Sequence, residues 1–192
     1  MQATNSAAAA STDDSADLVN AAVLGDRAAF ETLVRTHGPA MYRFARNMVR
    51  DDGLAEEIVQ DAFVAAWKSL EHYRSESALR TWLFGIVNHK AIDATRRRVP
   101  RPAEDWLFEE AVGDAVAADD PASAATGSDF LAALRRVLSD LPEVQRSCWL
   151  LREVEGMTHV EIGETLSMSP SAVRGQVTRA RRTLSERMAP WR

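Results

Sequence analysis

Apolar residues recur along this chain at the three-to-four-residue spacing of amphipathic helices, and no stretch alternates apolar and polar positions convincingly as a strand would. The first block, LVNAAVL, follows Asp17 as a candidate N-cap and stops at Gly25. A second block contains Phe30 and stops at the HGP tripeptide, and a third begins at Met41. The pattern predicts an all-α protein.

The segment DDGLAEEIVQDAFVAAWKSL predicts a helix with two unlike faces. Its apolar flank comprises Leu54, Ile58, Ala62, Ala65, Trp67 and Leu70. Its polar side carries Glu56, Glu57, Gln60 and Asp61. The predicted helix therefore has one acidic face, and its opposite face consists of bulky apolar residues.

A basic helix is predicted for ALRTWLFGIVNHKAIDATRRR, which follows the loop EHYRSES. Its apolar positions are Leu79, Leu83, Ile86 or Val87, and Ala91. This spacing leaves Arg80, His89, Lys90, Asp93, Arg96 and Arg97 on other faces. The basic run ends at Pro100.

Near the C-terminus the pattern predicts a helix-turn-helix, preceded by one helix with Leu131, Leu134, Val137 and Leu138. A second preceding helix covers LPEVQRSCWLLREVEG, with Pro142 near its first turn and Gly156 at its end. Thr158 and Glu161 form a capping box that starts one helix, and Ser169 with Pro170 starts the next. Val173, Val177 and Leu184 pack inward in this prediction. The outer surface then holds Ser171, Ala172, Arg174, Gly175, Gln176, Thr178 and Arg179.

The chemistry of that outer surface suits DNA. Arginine and glutamine side chains bind guanine or adenine edges bidentately, and a recognition helix fits the major groove. Arg179, Arg181 and Arg182 lie farther along the helix, where contacts to phosphates are expected. A solvated basic face on an ordinary helix is the plainer alternative.

Charge is distributed unevenly in this 192-residue chain of net charge -5. Residues 102–127 contain seven acidic residues and no Lys or Arg, whereas the flanking regions end in the basic clusters TRRRVPR and TRARR. A 26-residue stretch of this composition reads as a flexible acidic linker that can extend to roughly 90 Å. We predict a disordered tail (1–16), two small helical domains (17–101 and 128–192) and this linker between them.

Other protein classes find little support. The single cysteine, Cys148, excludes a disulfide framework, and the four histidines lack metal-ligand spacing. No phosphate loop or nucleophile motif is present, so we expect neither catalysis nor a cofactor. No stretch approaches the length of a membrane span, and we expect a cytoplasmic protein without membrane insertion.

Three motifs in order resemble the extracytoplasmic-function (ECF) class of bacterial sigma factors, a branch of the sigma-70 family. They are LAEEIVQDAFVAAWKSL, YRSESALRTWLFGIVNHKAIDATRRR and LSDLPEVQRSCWLLREVEGMTHVEIGETLSMSPSAVRGQVTRARRTL. The resemblance covers about residues 17–188. It implies two sigma domains, domain 2 and domain 4, in a subunit that binds core RNA polymerase, brings it to a promoter and opens the DNA.

The resemblance assigns a role to each motif. It places polymerase binding on Glu56, Glu57, Gln60 and Asp61. Contacts to the minus-10 element and its melted strand fall on Tyr73, Arg74, Ser75, Ser77, Arg80, His89, Lys90, Arg96 and Arg97, with Trp82 either a strand contact or a core residue. The minus-35 element is assigned to Ser171, Ala172, Arg174, Gly175, Gln176, Thr178, Arg179, Arg181 and Arg182.

The resemblance also implies partners beyond polymerase and promoter DNA. An anti-sigma factor is one such partner. In the acidic linker, Trp106 and Phe108 form a short apolar cluster, which we expect to bind in the RNA exit channel of the polymerase. The alternatives are that this cluster binds an anti-sigma factor or another part of the same chain.

Five positions depart from the family pattern and leave the promoter sequence open, one of them Gly175, which stands where serine is more common. His89 stands where asparagine is common, and Gly85 where a basic residue is common. Ser167 replaces a frequent turn glycine at a cost of about 1 kcal/mol. Gln176 replaces a residue that is more often basic. The alternative function is a helix-turn-helix regulator that binds an operator as a dimer without polymerase.

Overall fold

The computed structural model describes residues 16–73, 77–98 and 127–191, and all regular structure in these ranges is helical. The α-helices are α1 (16–23), α2 (Arg27–Val49), α3 (Asp52–Ser69), α4 (Leu79–Arg98), α5 (Gly127–Ser139), α6 (Glu143–Trp149), α7 (His159–Leu166) and α8 (Pro170–Arg187). Short 3-10 turns follow α3 and α8, and a π turn over Leu150–Val154 extends α6. The predicted all-α class is confirmed.

Side-chain caps fix several helix starts. The Asp26 carboxylate accepts hydrogen bonds from the backbone N–H groups of Ala28 and Ala29, which starts α2. Gly25, at φ +94°, ends α1 where the sequence predicted a stop. The predicted cap on α1 is wrong, because Asp17 already lies inside the helix.

Helix α2 runs unbroken through the HGP tripeptide, where the sequence predicted a boundary between two helices. Pro39 lacks the N–H that would bond to the preceding turn, at a cost of about 3 kcal/mol. Leu33, Met41 and Phe44 are buried on the core side of the same helix, and each such burial stabilises by roughly 1.5–3 kcal/mol. Packing on both sides of Pro39 therefore outweighs the lost hydrogen bond.

In the first helical group, α1–α4, apolar side chains pack together where α2, α3 and α4 meet, and they belong to one apolar core that continues into the second group. The rings of Phe44 and Phe84 pack edge to face with centroids 5.6 Å apart. Val87 of α4 is buried while Ile86 is half-buried, so Val87 occupies the core position for which the sequence offered either residue. The predicted apolar flank of α3 is partly wrong, since Phe63 is buried but Trp67 remains 38% exposed.

The second group, α5–α8, encloses Cys148, Ile162 and the inner residues of α8. Cys148 is fully buried, and burial raises the pKa of its thiol to about 11. The π turn after α6 closes with a hydrogen bond from Glu155 N–H to the Leu150 carbonyl, and Gly156 at φ +70° then reverses the chain. This geometry directs Glu155 toward the first group, whose Arg80 and Arg43 it contacts.

The two groups pack against each other through α2 and α4 on one side and α5, α6 and α7 on the other. Arg146 of α6 is buried and donates a 2.6 Å hydrogen bond to the carbonyl oxygen of Met48, at the end of α2. None of the helices in the described ranges has the length and apolar character needed to cross a bilayer.

Candidate nucleic-acid interface

A tight turn joins α7 to α8. The Thr158 hydroxyl and Glu161 carboxylate make both hydrogen bonds of the predicted capping box, and the bond from the Thr158 backbone N–H lowers the pKa of Glu161. Ser167 adopts the left-handed conformation at φ +54°, as its turn position predicted. A Cβ on Gly163 would lie 2.6 Å from the Met168 carbonyl oxygen, so glycine is required where the turn returns over α7.

Helix α8 separates an apolar inner face from a polar outer face. The Ser169 side chain accepts a hydrogen bond from Ala172 N–H and Pro170 occupies the first turn, as predicted. Val173, Val177 and Leu184 are buried against the rest of the group. The exposed positions include Ser171, Ala172, Arg174, Thr178, Arg179, Arg181 and Arg182, while Gly175 and Gln176 are half-buried. The predicted orientation of α8 is thus confirmed.

Two residues one turn apart on the outer face are coupled. A Cβ on Gly175 would lie 3.5 Å from an Arg179 guanidinium nitrogen, so the Arg179 side chain extends back across Gly175. An alanine methyl at position 175 would make ordinary van der Waals contact with the Arg179 head group, whereas a long side chain there would compete with it for space. Arg174, one residue before, is solvent-exposed near the N-terminal end of α8. The N-terminal part of α8 therefore presents two guanidinium groups.

Two arginines farther along α8 have carboxylate partners. Arg181 binds Glu153 through Nε and a terminal nitrogen, at 3.1 and 2.6 Å. Arg182 lies 3.9 Å from Glu186 in an exposed i,i+4 pair. Arg181 must exchange Glu153 for a phosphate if it is to hold DNA, a competition that the sequence did not reveal.

The start of α4 brings together three of the residues predicted for the melted strand. The Tyr73 hydroxyl donates a 2.6 Å hydrogen bond to the Ser77 carbonyl oxygen. The Tyr73 and Trp82 rings lie 5.1 Å apart at an interplanar angle of 41°, and both residues are half-buried. Arg74, Ser75, Trp106 and Phe108 lie outside the described residues. A partly exposed aromatic pair of this kind is a surface on which an unpaired nucleic-acid base stacks.

The basic residues of α4 divide between opposite faces of the helix. Arg80 and His89 are nine residues apart, which at 100° per residue places them on opposite sides. His89 shares its side with Trp82 and Arg96, and both His89 and Arg96 are exposed, although Arg96 Nε also donates a 3.3 Å hydrogen bond to the Glu143 carboxylate of α6 in the second group. Arg80 instead faces the second helical group and donates hydrogen bonds to Glu155. The structure therefore does not bring Arg80 into the cluster that the sequence predicted.

All four polar residues predicted for polymerase binding are exposed along α3: Glu56, Glu57, Gln60 and Asp61. Asp61 lies 3.5 Å from the Lys90 ammonium, so this residue links the acidic helix to the basic one. Glu57, Asp61, Lys90 and Arg97 line a groove of about 210 Å³ between α3 and α4.

Sequence reasoning missed two features of the surface. Trp67 and Val64 stay exposed beside Phe30, whose ring centroid lies 4.8 Å from that of Trp67, although helical spacing gave Trp67 a core position. Glu155 is the second, because a glutamate at a helix end carries no signal that it will be buried against arginines 75 and 112 residues earlier. Only the three-dimensional packing reveals either feature.

Comparison with known proteins places both helical groups in one family. Residues 33–101 match the family model "Sigma-70 region 2", and residues 131–184 match "Sigma-70, region 4". The chain is 35% identical to RNA polymerase sigma factor NccH of Alcaligenes xylosoxydans xylosoxydans over 91% of this chain and 95% of the relative. It is 31% identical to the ECF RNA polymerase sigma-E factor of Haemophilus influenzae, over 90% and 94% of the two chains.

A solved structure shares the fold. The structure of CnrH in complex with the cytosolic domain of CnrY is 29% identical, covers 90% of this chain and 96% of that chain, and has a TM-score of 0.69. The chain therefore belongs to the ECF class of the sigma-70 family of RNA polymerase sigma factors. The match to both regions favours this function over an operator-binding dimeric regulator.

Proposed function

We propose that α8 reads the minus-35 promoter element with Arg174 and Gln176 at base edges and Arg182 at a phosphate. The exposed outer face of α8, above a fully buried inner face, is the observation that carries this proposal. Bidentate donors suit base edges near the N-terminal end of a recognition helix, while cations farther along reach the backbone. The Arg179 head group lies over Gly175, on the same outer face of α8.

The minus-10 element and its melted strand are held by the side of α4 that carries Trp82, His89 and Arg96, next to the Tyr73 ring. Stacking of an unpaired base on an aromatic ring is worth roughly 1–3 kcal/mol, which offsets part of the cost of opening the duplex. The exposure of His89 and the Tyr73–Trp82 pair support this assignment, and Arg96 exchanges the Glu143 carboxylate for a phosphate when it holds the strand.

Core polymerase binds the acidic side of α3, where Glu56, Glu57, Gln60 and Asp61 are exposed. Domain 2 extends over residues 17–101 and domain 4 over 128–192, with a tail before them (1–16) and the acidic linker (102–127) between them. The protein works in the cytoplasm, performs no chemistry of its own and is restrained by an anti-sigma factor. The CnrH complex, in which a relative is held by a second protein, supports such a partner.

Run-off transcription tests the proposal. Purified core polymerase is supplied with fragmented genomic DNA from the source organism, with and without the protein. We expect transcripts that require the protein and whose upstream sequences share two promoter elements. A Glu57→Lys variant should lose these transcripts while still binding minus-35 DNA, whereas transcripts that are independent of the protein would contradict the proposal.

A further inference from the structure

A pocket rich in arginine lies where the end of α2, the start of α3 and the C-terminal half of α5 meet. Its volume is about 200 Å³, and its lining residues are Arg46, Asn47, Arg50, Asp52, Arg135 and Leu138. We call this site the arginine pocket. Its lining comes from neither α4 nor α8, the helices to which the DNA contacts are assigned above, so it is separate from the proposed promoter-binding surfaces.

The guanidinium groups of the arginine pocket hold hydrogen-bond donors that the protein does not use. Arg46 donates from Nε to the Asp52 carboxylate, and its two terminal nitrogens have no partner in the part of the chain that the structure describes. Arg50 donates from one terminal nitrogen to the Ser139 hydroxyl at 2.9 Å. The exposed Arg135 has neither a hydrogen bond nor an ion pair among the described residues. Unused donors therefore face the pocket from both α2 and α5.

Arg50 occupies a backbone position that favours glycine. It caps α2 in the left-handed conformation at φ +57°, where its N–H donates a 2.9 Å hydrogen bond to the Arg46 carbonyl oxygen. Ser167, the other described non-glycine residue at positive φ, forms the turn between α7 and α8. Strained backbone is concentrated at functional sites, which supports a use for the Arg50 guanidinium beyond its hydrogen bond to Ser139.

Charge in and around the pocket is predominantly positive. Among the lining residues, three arginines oppose the single carboxylate of Asp52. Burial lowers the pKa of the nearby Arg146. The Arg50 guanidinium adds to this decrease, whereas the carboxylates of Glu143 and Asp140 oppose it. An anion bound in the pocket would relieve the repulsion among these guanidinium groups, and a neutral ligand would not.

The chemistry of the pocket suits phosphate oxygens. Guanidinium groups bind phosphate in a bidentate manner that the ammonium group of lysine cannot match. A volume of about 200 Å³ lies below the roughly 300–1,000 Å³ of pockets that enclose drug-sized molecules, so a small and highly charged group fits best. A diphosphate carries more charge than a single phosphodiester and can contact guanidinium groups of α2 and α5 at the same time.

We propose that the arginine pocket binds a diphosphate group, held by Arg46 and Arg50 of α2 on one side and by Arg135 of α5 on the other. The source of this group is free pyrophosphate or the phosphate tail of a nucleotide whose base projects into solvent. The bound diphosphate bridges α2 and α5. This site does not depend on the DNA contacts proposed above.

Calorimetric titration of the full-length chain with pyrophosphate at constant ionic strength tests the proposal. We expect saturable binding by wild type. Arg135→Gln should weaken binding about tenfold, because it removes one charge-assisted contact. Arg50→Gly should do the same without strain, since glycine readily adopts the left-handed conformation. Asp52→Asn removes the lining carboxylate and should bind several-fold more tightly, a gain that loss of folding cannot imitate.

Arg35→Gln is the matched control. It removes an exposed arginine of the same α2 helix, whose partner is the Thr32 hydroxyl of that helix at 3.1 Å. Arg35→Gln should bind pyrophosphate as wild type does. An equal loss of affinity in Arg35→Gln and Arg135→Gln would show that pyrophosphate responds to net charge alone and would overturn the pocket. Absence of saturable binding by wild type up to millimolar concentration would overturn it as well.

Adenosine diphosphate and a single-stranded oligonucleotide distinguish the sources of the phosphate. Tighter binding of adenosine diphosphate than of pyrophosphate, weakened by Arg135→Gln, would support the proposal and assign the pocket to a nucleotide. The reverse order would support it and assign the pocket to the free anion. Displacement of pyrophosphate by the oligonucleotide would overturn the proposal, because the pocket would then belong to a DNA-binding surface. Run-off transcription is measured separately, so failure of this site and failure of the sigma function give different results.

Discussion

The Ser147 hydroxyl of α6 donates a 2.7 Å hydrogen bond to Asn88 Oδ1 of α4, and neither residue is exposed to solvent by more than 2%. The two residues are 59 positions apart and belong to different helical groups. A satisfied buried pair of this kind contributes to the packed arrangement, while either residue alone would be left without its partner.

We expect Ser147→Ala and Asn88→Ala each to lower the free energy of unfolding by about 1–3 kcal/mol, since Ser147→Ala removes the donor to the buried Asn88 oxygen and Asn88→Ala leaves the Ser147 hydroxyl with only the weak Met48 sulfur acceptor at 3.7 Å. The double variant should cost less than the sum of the two. Urea denaturation of the four proteins measures the coupling. Strict additivity would show that the hydrogen bond does not hold the two helical groups together.

Release of Arg181 should strengthen binding to DNA of any sequence. Glu153→Gln removes the carboxylate that holds the Arg181 guanidinium at 2.6 Å, at a stability cost of about 0.2–1 kcal/mol for such an exposed pair. One additional phosphate contact makes the negative slope of log affinity against log salt concentration steeper by about 1. Anisotropy titrations of duplex DNA over a salt series check this. An unchanged slope would show that Glu153 does not keep Arg181 from a phosphate.

Stability should depend on His37 in weakly acidic solution. Burial, together with the nearby Arg80 guanidinium, lowers the pKa of His37 below its ordinary value of 6.5. Between the lowered pKa and 6.5 the unfolded chain binds more protons than the native chain, so the contribution to stability rises with pH.

The His37 contribution is therefore fully present above pH 6.5 and is lost as the pH falls from 6.5 to the lowered pKa. We expect His37→Gln to flatten this part of the profile of melting temperature against pH. Circular dichroism melts at closely spaced pH values provide the measurement. A variant with the same slope as wild type would show that His37 titrates alike in both states.

Local signals in the sequence predicted much of the second helical group. The capping box of Thr158 and Glu161, the Ser169 cap and the left-handed Ser167 all follow from chemistry within a few residues of each position. The same local reasoning failed at Pro39, because the burial that keeps α2 continuous comes from helices elsewhere in the chain. Local propensity describes helix ends well and cannot supply the tertiary packing that overrides it.

The candidate nucleic-acid interface likewise contains residues whose positions the sequence predicted and residues whose positions it did not. Helical spacing placed Arg174 and Thr178 outside and Val173 and Val177 inside, as observed. Spacing did not predict that Arg80 faces the second group, because its partner Glu155 is 75 residues away and no pattern in the sequence links the two. A charge pair between distant helices becomes visible only when the packing of the helices is known.

Recognition of the minus-35 element by α8 is tested most directly by transcription with core polymerase from a promoter library randomised at that element. Sequencing of the transcripts gives the base preference of wild type, Arg174→Ala and Arg182→Ala. Loss of a bidentate base contact costs about 1–3 kcal/mol, so Arg174→Ala should relax the preference at one position. Arg182→Ala should reduce transcription from all sequences alike. Identical preferences in wild type and Arg174→Ala, with only an overall loss, would contradict base reading by Arg174.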